Sequence, residues 1–307
     1  MVGLAADRGK AARAAQDRAS DAACIQPCGF LVVLGQDWRV AHVSENIADH
    51  FADCGPRMIG QPLSEFFGAA AVHSLRNQLA LMRDPQGTTR LFSLFFASVP
   101  KPFDVAMHFH EGMIILEALP SPHVEAGDPA GTVRQLADQL DGCESVTDLL
   151  QRGCHLLRAL TGFDSVTLFR LDKQGRGSRV AEDVRGGAPV AIHCPPPELR
   201  VLADVSRSGV PLEPGAPPSL IERALLRAWS EAEPCSADPR EAAACLCVPL
   251  VSAGIPWGVA ACLNRSARTP TLDRIAAAEL FGDLLAMRAE LLELRQSAPA
   301  EEVAAEV

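Results

Sequence analysis

The fold is decided by the stretch Asp21-Ala22-Ala23-Cys24-Ile25-Gln26-Pro27-Cys28-Gly29-Phe30-Leu31-Val32-Val33. A charged, alanine-rich segment ends here, and an apolar run typical of a buried strand begins at Phe30. Gln26 precedes a proline, and a residue in that position is pushed into extended geometry, so the connection between the two segments is not helical. We therefore predict that a folded domain begins at residue 21 and that residues 1–20 form a flexible arm.

The composition is that of an ordinary globular chain, and 307 residues are enough for two domains with separate cores. Lys and Arg number 28 against 38 Asp and Glu, so a net charge of −10 favours neither nucleic acid nor anionic lipid as a partner. No apolar run reaches the ~18 residues of a membrane helix, and the N-terminus has no signal-peptide core. The ten cysteines show no framework spacing, which indicates reduced thiols in a cytoplasmic protein.

The apolar pattern predicts an α+β domain over residues 21–120. We expect a hairpin over 30–43, and we expect Ser44 to cap a short helix that ends near Phe51. The other predicted elements are a helix over 69–83, a strand over 89–96 and a hairpin over 103–119 with its turn at 110–112. A linker rich in Pro and Gly follows at 121–131.

A second α+β domain is predicted over residues 132–296. Its elements are helices over 132–140 and 145–160, strands over 163–172, 179–183, 242–250 and 257–264, and a long helix over 272–295. Residues 193–240 are irregular and rich in proline, and the tail 297–307 is expected to be disordered.

Several motifs in this order resemble the phytochrome family. Ile25-Gln26-Pro27 before a strand is similar to the start of its PAS domain, and Phe103–Glu117 is similar to the last two PAS strands. Val166–Asp172 and Trp257–Cys262 are similar to the first and last strands of its GAF domain. The resemblance covers residues 24–296 and implies a PAS domain followed by a GAF domain, without PHY or kinase domains. It also implies a knot, in which the N-terminal segment threads through a GAF loop.

Pigmented members of that family bind a linear tetrapyrrole, and several of the positions that contact it differ here. His193-Cys194-Pro195 matches the start of a segment that contacts the pyrrole nitrogens, but the family's Asp does not follow. Cys262 matches the cysteine before a pigment-contacting histidine, yet Leu263 follows it, and the chain has no tyrosine. Buried pyrrole N–H groups without acceptors would each cost roughly 1–3 kcal/mol. We therefore predict impaired or absent bilin binding and no cofactor.

Four other residues keep the alternative of a red-light photoreceptor open. Arg200 and Arg227 match the family's propionate-binding arginines, although arginines that bond backbone carbonyls or solvent would look the same in sequence. Cys24 and Cys235 are the candidate thiols for attaching biliverdin or another linear tetrapyrrole, Cys24 through movement of the flexible arm. Each cysteine is also interpretable as a buried structural thiol.

Other clusters of polar residues have simpler explanations. Cys245 and Cys247 point to one face of a strand, with Cys262 on the neighbouring strand, but no fourth zinc-like ligand accompanies them, so core packing is favoured. His108 and His110 share a strand face next to a turn, where a solvated edge is favoured over a metal pair. No phosphate loop, nucleophile elbow or zinc-protease motif is present, so we predict a protein that is not an enzyme.

The last predicted helix carries a heptad pattern. Apolar residues recur at spacings of three and four, at Ala277, Leu280, Leu284, Met287, Leu291 and Leu294. Leu285 and Leu292 widen the stripe, as in a helix that packs on its own sheet, and we expect the helix both to pack and to dimerise. The sequence thus predicts a homodimer that signals through an unidentified protein partner.

Overall fold

The computed structural model describes residues 22–51, 54–84, 86–97, 99–122, 128–186, 192–229 and 242–305, without the side chains of 297–305. The chain divides into two compact units. The first contains residues 1–127 together with 206–231, and the second contains residues 128–205 and 232–307. The first unit therefore includes a segment from the middle of the predicted second domain.

The first unit is built on an antiparallel sheet with the strand order β1-β10-β3-β2-β6-β5-β4 among the described residues. Its strands are β1 (Cys24–Ile25), β2 (Phe30–Leu34), β3 (Val40–Ser44), β4 (Thr88–Phe95), β5 (Pro102–His110), β6 (Met113–Pro120) and β10 (Val210–Glu213). Its helices are α1 (Ser64–Phe67) and α2 (Ala69–Ala80), with 3₁₀ turns at Glu45–Asp49, Pro56–Met58 and Pro218–Ile221. The two predicted hairpins, the strand β4 and the helix α2 are confirmed, whereas β1 and β10 were not predicted.

The core of the first unit is a cluster of phenylalanine rings that joins the sheet to the helices. The rings of Phe30 and Phe51 meet edge to face at 5.4 Å, and Phe51 stacks on Phe67 at 4.9 Å. Phe96 and Phe103 complete the cluster, and all five side chains are buried. Aromatic pairs in such geometries contribute about 0.5–1.5 kcal/mol beyond their buried area, so this core is well fixed.

Ser44 does not cap a helix, so that prediction is wrong. The residues after it form a 3₁₀ turn, to which its side chain makes no capping bond. The hydroxyl oxygen instead accepts the backbone N–H of Leu31 at 3.0 Å in the interior of the sheet. A buried N–H without a partner is costly, and the serine satisfies it.

The second unit is built on an antiparallel sheet with the order β8-β7-β12-β11-β9 in the part of the chain that is described. Its strands are β7 (Ser165–Leu171), β8 (Gly177–Val184), β9 (Arg200–Leu202), β11 (Ala244–Ser252) and β12 (Ile255–Asn264). Its helices are α3 (Pro129–Asp138), α4 (Val146–Thr161) and α5 (Leu272–Ala305). The predicted α+β class is confirmed for this unit as for the first, and β9 was not predicted.

Close contacts pack α4 and α5 together on one face of this sheet. A Cβ on Gly153 of α4 would meet Leu285 of α5 at 2.6 Å, and a Cβ on Gly282 would meet Leu250 of β11 at 2.8 Å. Glycines at these two positions let the backbones approach closely. The opposite face of the sheet is therefore the one available for a site.

The helix α5 is longer than predicted, because it continues to Ala305 through the segment expected to be a disordered tail. Alanine, glutamine and glutamate are strong helix formers, and they extend the helix although Pro299 removes one backbone donor. No helix in the described parts of the chain is long and apolar enough to cross a membrane.

Candidate functional site

Strand β1 lies between two parts of the segment 206–229. On one side it pairs with β10, where Ile25 stands opposite Val210. On the other side the carbonyl of Cys24 accepts the N–H of Ala228 at 2.8 Å, and the N–H of Gln26 donates to the carbonyl of Leu226 at 2.7 Å. Both backbone edges of the strand are thus satisfied by this segment. The predicted crossing of Ile25-Gln26-Pro27 with a distant loop is confirmed, and complete encirclement stays a prediction because residues 230–241 lie outside the described residues.

Gly29 lies next to this crossing, in close contact with β6 and with the segment 206–229. A Cβ at this position would overlap the carbonyl oxygen of Ala118 and would lie 2.9 Å from Cδ1 of Leu226. The side-chain amide of Asn46 donates to the Gly29 carbonyl at 2.7 Å. Position 29, directly before β2, therefore accommodates only a residue without a side chain.

A buried polar pair attaches the segment 206–229, called the loop below, to the first sheet. Glu117 on β6 is 3% exposed, and its Oε2 accepts the backbone N–H of Leu226 at 2.6 Å. His108 on β5 is 1% exposed, with its Nδ1 3.9 Å from Oε1 of Glu117. Nε2 of His108 has no hydrogen-bond partner among the described residues. A carboxylate bonded to a buried N–H is a strong anchor, because removing either partner leaves the other desolvated.

The interpretation of His108 and His110 as a solvated edge is wrong. His108 is buried, and Nε2 of His110 donates to the carbonyl of Ser219 at 2.8 Å. The guanidinium of Arg223 donates to the carbonyl of Phe109 at 3.3 Å. The loop covers this strand face, and the loop residues that make these contacts lie more than 100 residues from β5 in sequence.

We expect acid to destabilise the first unit through His108. Burial, with additional contributions from Arg223 and His110, lowers the pKa of His108 from 6.5 to about 4. The folded state favours the neutral ring, so this stability is complete above pH 6.5 and is lost as the pH falls from 6.5 towards 4. The full difference corresponds to about 3 kcal/mol.

The measurement is urea unfolding followed by circular dichroism between pH 7 and 4. His108→Gln should flatten the pH dependence within this window, whereas the exposed His73→Gln should follow the unaltered protein. An unchanged slope in His108→Gln would show that other groups cause the acid sensitivity.

The face of the second sheet opposite α4 and α5 carries Arg200. Arg200 stands opposite Cys247, and Leu263 stands opposite Cys245, so these four side chains share one face. Cys262 stands opposite Leu246, on the other face. Two of the candidate pigment residues, Arg200 and Cys262, are therefore not brought together.

The described side chains of this face are buried. Thr167, Phe169, Cys247 and Leu263 are each at most 5% exposed. The side chain of Cys194 lies against Gly177, where a Cβ would overlap its sulfur. The neighbouring residue His193 is exposed rather than directed into a buried site.

Arg227 and Cys24 have well-defined places within the first unit. The guanidinium of Arg227 donates to the carbonyl of Glu222, which is one of the alternatives left open for it. Cys24 is fixed in β1, so the expectation that a flexible arm carries its thiol is wrong. Burial and the nearby Glu45 raise the pKa of the Cys24 thiol, which leaves it less nucleophilic. Cys235 lies outside the described residues.

The three thiols considered as part of a metal site are divided between the two faces of the sheet. Cys245 and Cys247 share a face as predicted, with their Sγ atoms 3.6 Å apart. Cys262 lies on the side of α4, where Sγ of Cys154 donates to the carbonyl of Val166 at 3.2 Å. Among the described residues no group of three or more His, Cys, Asp or Glu has the arrangement of a metal site.

The helix α5 has two apolar faces. Phe281, Leu285 and Ala289 are buried against the rest of the unit, which confirms the predicted packing role. On the opposite side, at about 3.6 residues per turn, runs an exposed stripe. The exposed stripe consists of Leu280, Met287, Leu291 and Leu294, with the half-buried Leu284 at its border, and Leu294 is 63% exposed. Alanine at position 277, the first residue of the predicted heptad, is buried and does not belong to it.

Sequence comparisons identify both units. The profile of the PAS fold matches residues 14–121, and that of the GAF domain matches residues 145–289. The chain is 23% identical to the phytochrome-like protein Cph1 of Synechocystis, over 84% of this chain and 38% of that protein. It is 28% identical to cyanobacterial phytochrome B of Nostoc, over 52% of this chain and 22% of that protein. The chain thus spans less than two-fifths of the length of these curated relatives.

Solved structures show the same fold. The bacteriophytochrome RpBphP3 of R. palustris superposes with a TM-score of 0.76 at 22% identity, over 91% of this chain and 61% of that one. The photosensory core module of Stigmatella aurantiaca phytochrome gives a TM-score of 0.74 at 23% identity, over 92% of this chain and 61% of that one. The chromophore-binding domain of RpBphP3 gives 0.71 at 22% identity, over 90% of this chain and 97% of that domain.

Proposed function

We propose, on the premise that this chain is a PAS–GAF module of the phytochrome type, that it is a sensory and signalling protein that acts as a dimer without a bilin. The observation that carries the proposal is the contrast between two surfaces of the GAF unit. The sheet face that holds Arg200 is closed by buried side chains, while the stripe on α5 is open. In this proposal the face around Arg200 is packed with side chains and holds no ligand, and the stripe on α5 is the surface for self-association.

The chemistry of the closed face supports the absence of pigment. A bound bilin needs polar groups at its pyrrole nitrogens, cations for its propionates and an apolar slot. Leu263, at the position of the family's histidine, offers no hydrogen bond and is buried. Arg200 remains on this face, but a cation without the other groups does not bind a tetrapyrrole specifically.

The exposed stripe supports the dimer. Contiguous apolar surface on a helix marks an interaction site, because water contact with it is unfavourable. A second α5 laid along the stripe would cover the same leucines on both copies, as a two-fold symmetric interface requires. Arg288, beside the stripe, is already engaged by Asp141, in the turn after α3, at 2.9 Å. The stripe is therefore the part of α5 left for a second copy.

Light scattering of the purified protein tests this function. We expect a dimer at micromolar concentration, and we expect Leu284→Glu with Leu291→Glu to give a folded monomer, because two charges per chain would be buried in the interface. The matched control is Leu81→Glu with Ile255→Glu, which changes two exposed apolar residues elsewhere and should remain dimeric. A monomeric unaltered protein would limit α5 to a packing role.

Other parts of the proposal rest on sequence. A cytoplasmic location follows from the composition, and the absence of catalytic motifs predicts a protein that is not an enzyme. The proposed domain limits are 21–120 for PAS and 132–296 for GAF, with residues 206–231 grouped with the first unit in the structure. The proposed output is a protein partner that the sequence does not identify.

A further inference from the structure

The closed face of the GAF sheet carries a pair of thiols beside a buried cation. Cys245 and Cys247 are reduced, and their sulfur atoms approach to 3.6 Å because both side chains turn towards each other along β11. Arg200 stands opposite Cys247 in the neighbouring strand and is itself 5% exposed. The thiolate is the form that attacks a disulfide, and the second sulfur lies close enough to displace the mixed disulfide that results.

The two cysteines are close enough to be bridged. Residues two apart in a strand are separated by about 6.6 Å between Cα atoms, within the upper part of the range of about 4.4–6.8 Å found in disulfides. A bridge at this limit is strained, and strained disulfides are easily reduced, as regulatory bridges are. On its outer side β11 pairs with the short edge strand β9 from Arg200 to Leu202, so local opening can admit a small reagent.

We propose that Cys245 and Cys247 form a reversible dithiol–disulfide site that reacts with low-molecular-weight disulfides. The GAF face that lacks the pigment contacts then responds to thiol redox state. This inference rests on the proposed function, because it takes a pigment-free GAF domain as its starting point.

The reaction balances as two successive exchanges. One cysteine thiolate attacks the small disulfide RSSR, whose S–S bond breaks, and RS⁻ leaves with the electron pair. The second cysteine loses its proton to water and attacks the mixed disulfide, which releases the second RS⁻ and closes the Cys245–Cys247 bond. Two electrons pass from the cysteine sulfurs to the small disulfide, and the two released protons convert both RS⁻ to RSH.

Cys154 and Cys262 form an internal reference for this chemistry. They are buried as deeply, but they lie on the opposite face, under α4. Burial, together with the nearby Cys262, raises the pKa of Cys154. We expect both to stay reduced under conditions that bridge Cys245 and Cys247.

The test is equilibration of the full chain in glutathione buffers from reducing to oxidising. The sample is quenched with acid, unfolded, alkylated and analysed by peptide mass spectrometry. We expect Cys245 and Cys247 to lose alkylation together, with a mass two hydrogens lower, while Cys154 and Cys262 remain alkylated. In Cys247→Ser, Cys245 should carry glutathione instead of an internal bridge. Equal alkylation of all four thiols in every buffer, with the fold intact by circular dichroism, would overturn the proposal.

An absorption spectrum of the protein co-expressed with a heme oxygenase separates this inference from the proposed function. A protein that takes up a bilin contradicts the proposed function, whatever its thiols do. A protein without bilin whose Cys245 and Cys247 stay alkylated contradicts the redox site alone.

Discussion

Gly29→Ala should lower the free energy of unfolding of the first unit by about 3 kcal/mol, at the upper end of the cost of overpacking. The added methyl would overlap the carbonyl oxygen of Ala118 and press on Leu226, so β2 or the loop must move. Backbone atoms cannot rotate away as a flexible side chain can. The hydrogen bond from Leu226 to Glu117 would be disturbed by the same movement.

The measurement is urea unfolding followed by circular dichroism, with a matched control in the same loop. Gly215 has an ordinary backbone conformation and no atom within 4 Å of an added Cβ. Gly215→Ala should therefore be neutral or slightly stabilising, because alanine restricts the unfolded chain. If the two substitutions have equal effects, the close approach at Gly29 does not stabilise the crossing.

The crossing was predicted through the resemblance of a short local motif to the phytochrome family. Ile25-Gln26-Pro27 is a short motif whose proline enforces extended geometry, and the apolar strand after it is unambiguous. Both partners of this segment, β10 and the stretch around Arg227, fall in a region that is irregular in sequence. Their strand character comes from pairing with distant residues, so no local pattern predicts it.

The faces of the GAF sheet could be predicted only in part. Alternation along one strand correctly placed Cys245 and Cys247 on a common face. Placing Cys262 requires the register between β11 and β12, and a shift of one residue reverses the face. The observed register pairs Cys262 with Leu246, which separates it from the other two thiols.

The polar anchor beneath the loop was missed, although a signal for it existed. Glu117 interrupts the apolar run of β6, and a carboxylate in such a run needs a buried partner. That partner, the N–H of Leu226, lies 109 residues further along the chain. For helix α5, in contrast, the sequence alone predicted a heptad and a wider apolar stripe, because both are local patterns.

The second prediction with a large effect concerns the bilin adduct, which we expect to be entirely absent. The proposal of a pigment-free module rests on three features. Leu263 stands where the family resemblance implies a histidine, the described side chains around Arg200 are buried, and the thiol of Cys24 is held in β1 with a raised pKa. We expect these features to act together against attachment of a bilin, polar contacts with it and space for it. We therefore expect no bilin adduct even when the pigment is abundant during folding.

Co-expression with a heme oxygenase tests the central claim most directly, with a pigmented bacteriophytochrome module produced in parallel as the positive control. The purified protein is examined by absorption before and after red light, and by zinc-induced fluorescence on a denaturing gel. We predict no red absorption band, no photoconversion and no fluorescent protein band. A covalent adduct that photoconverts, and that is lost in Cys24→Ala or Cys235→Ala, would contradict the account and make this chain a red-light photoreceptor.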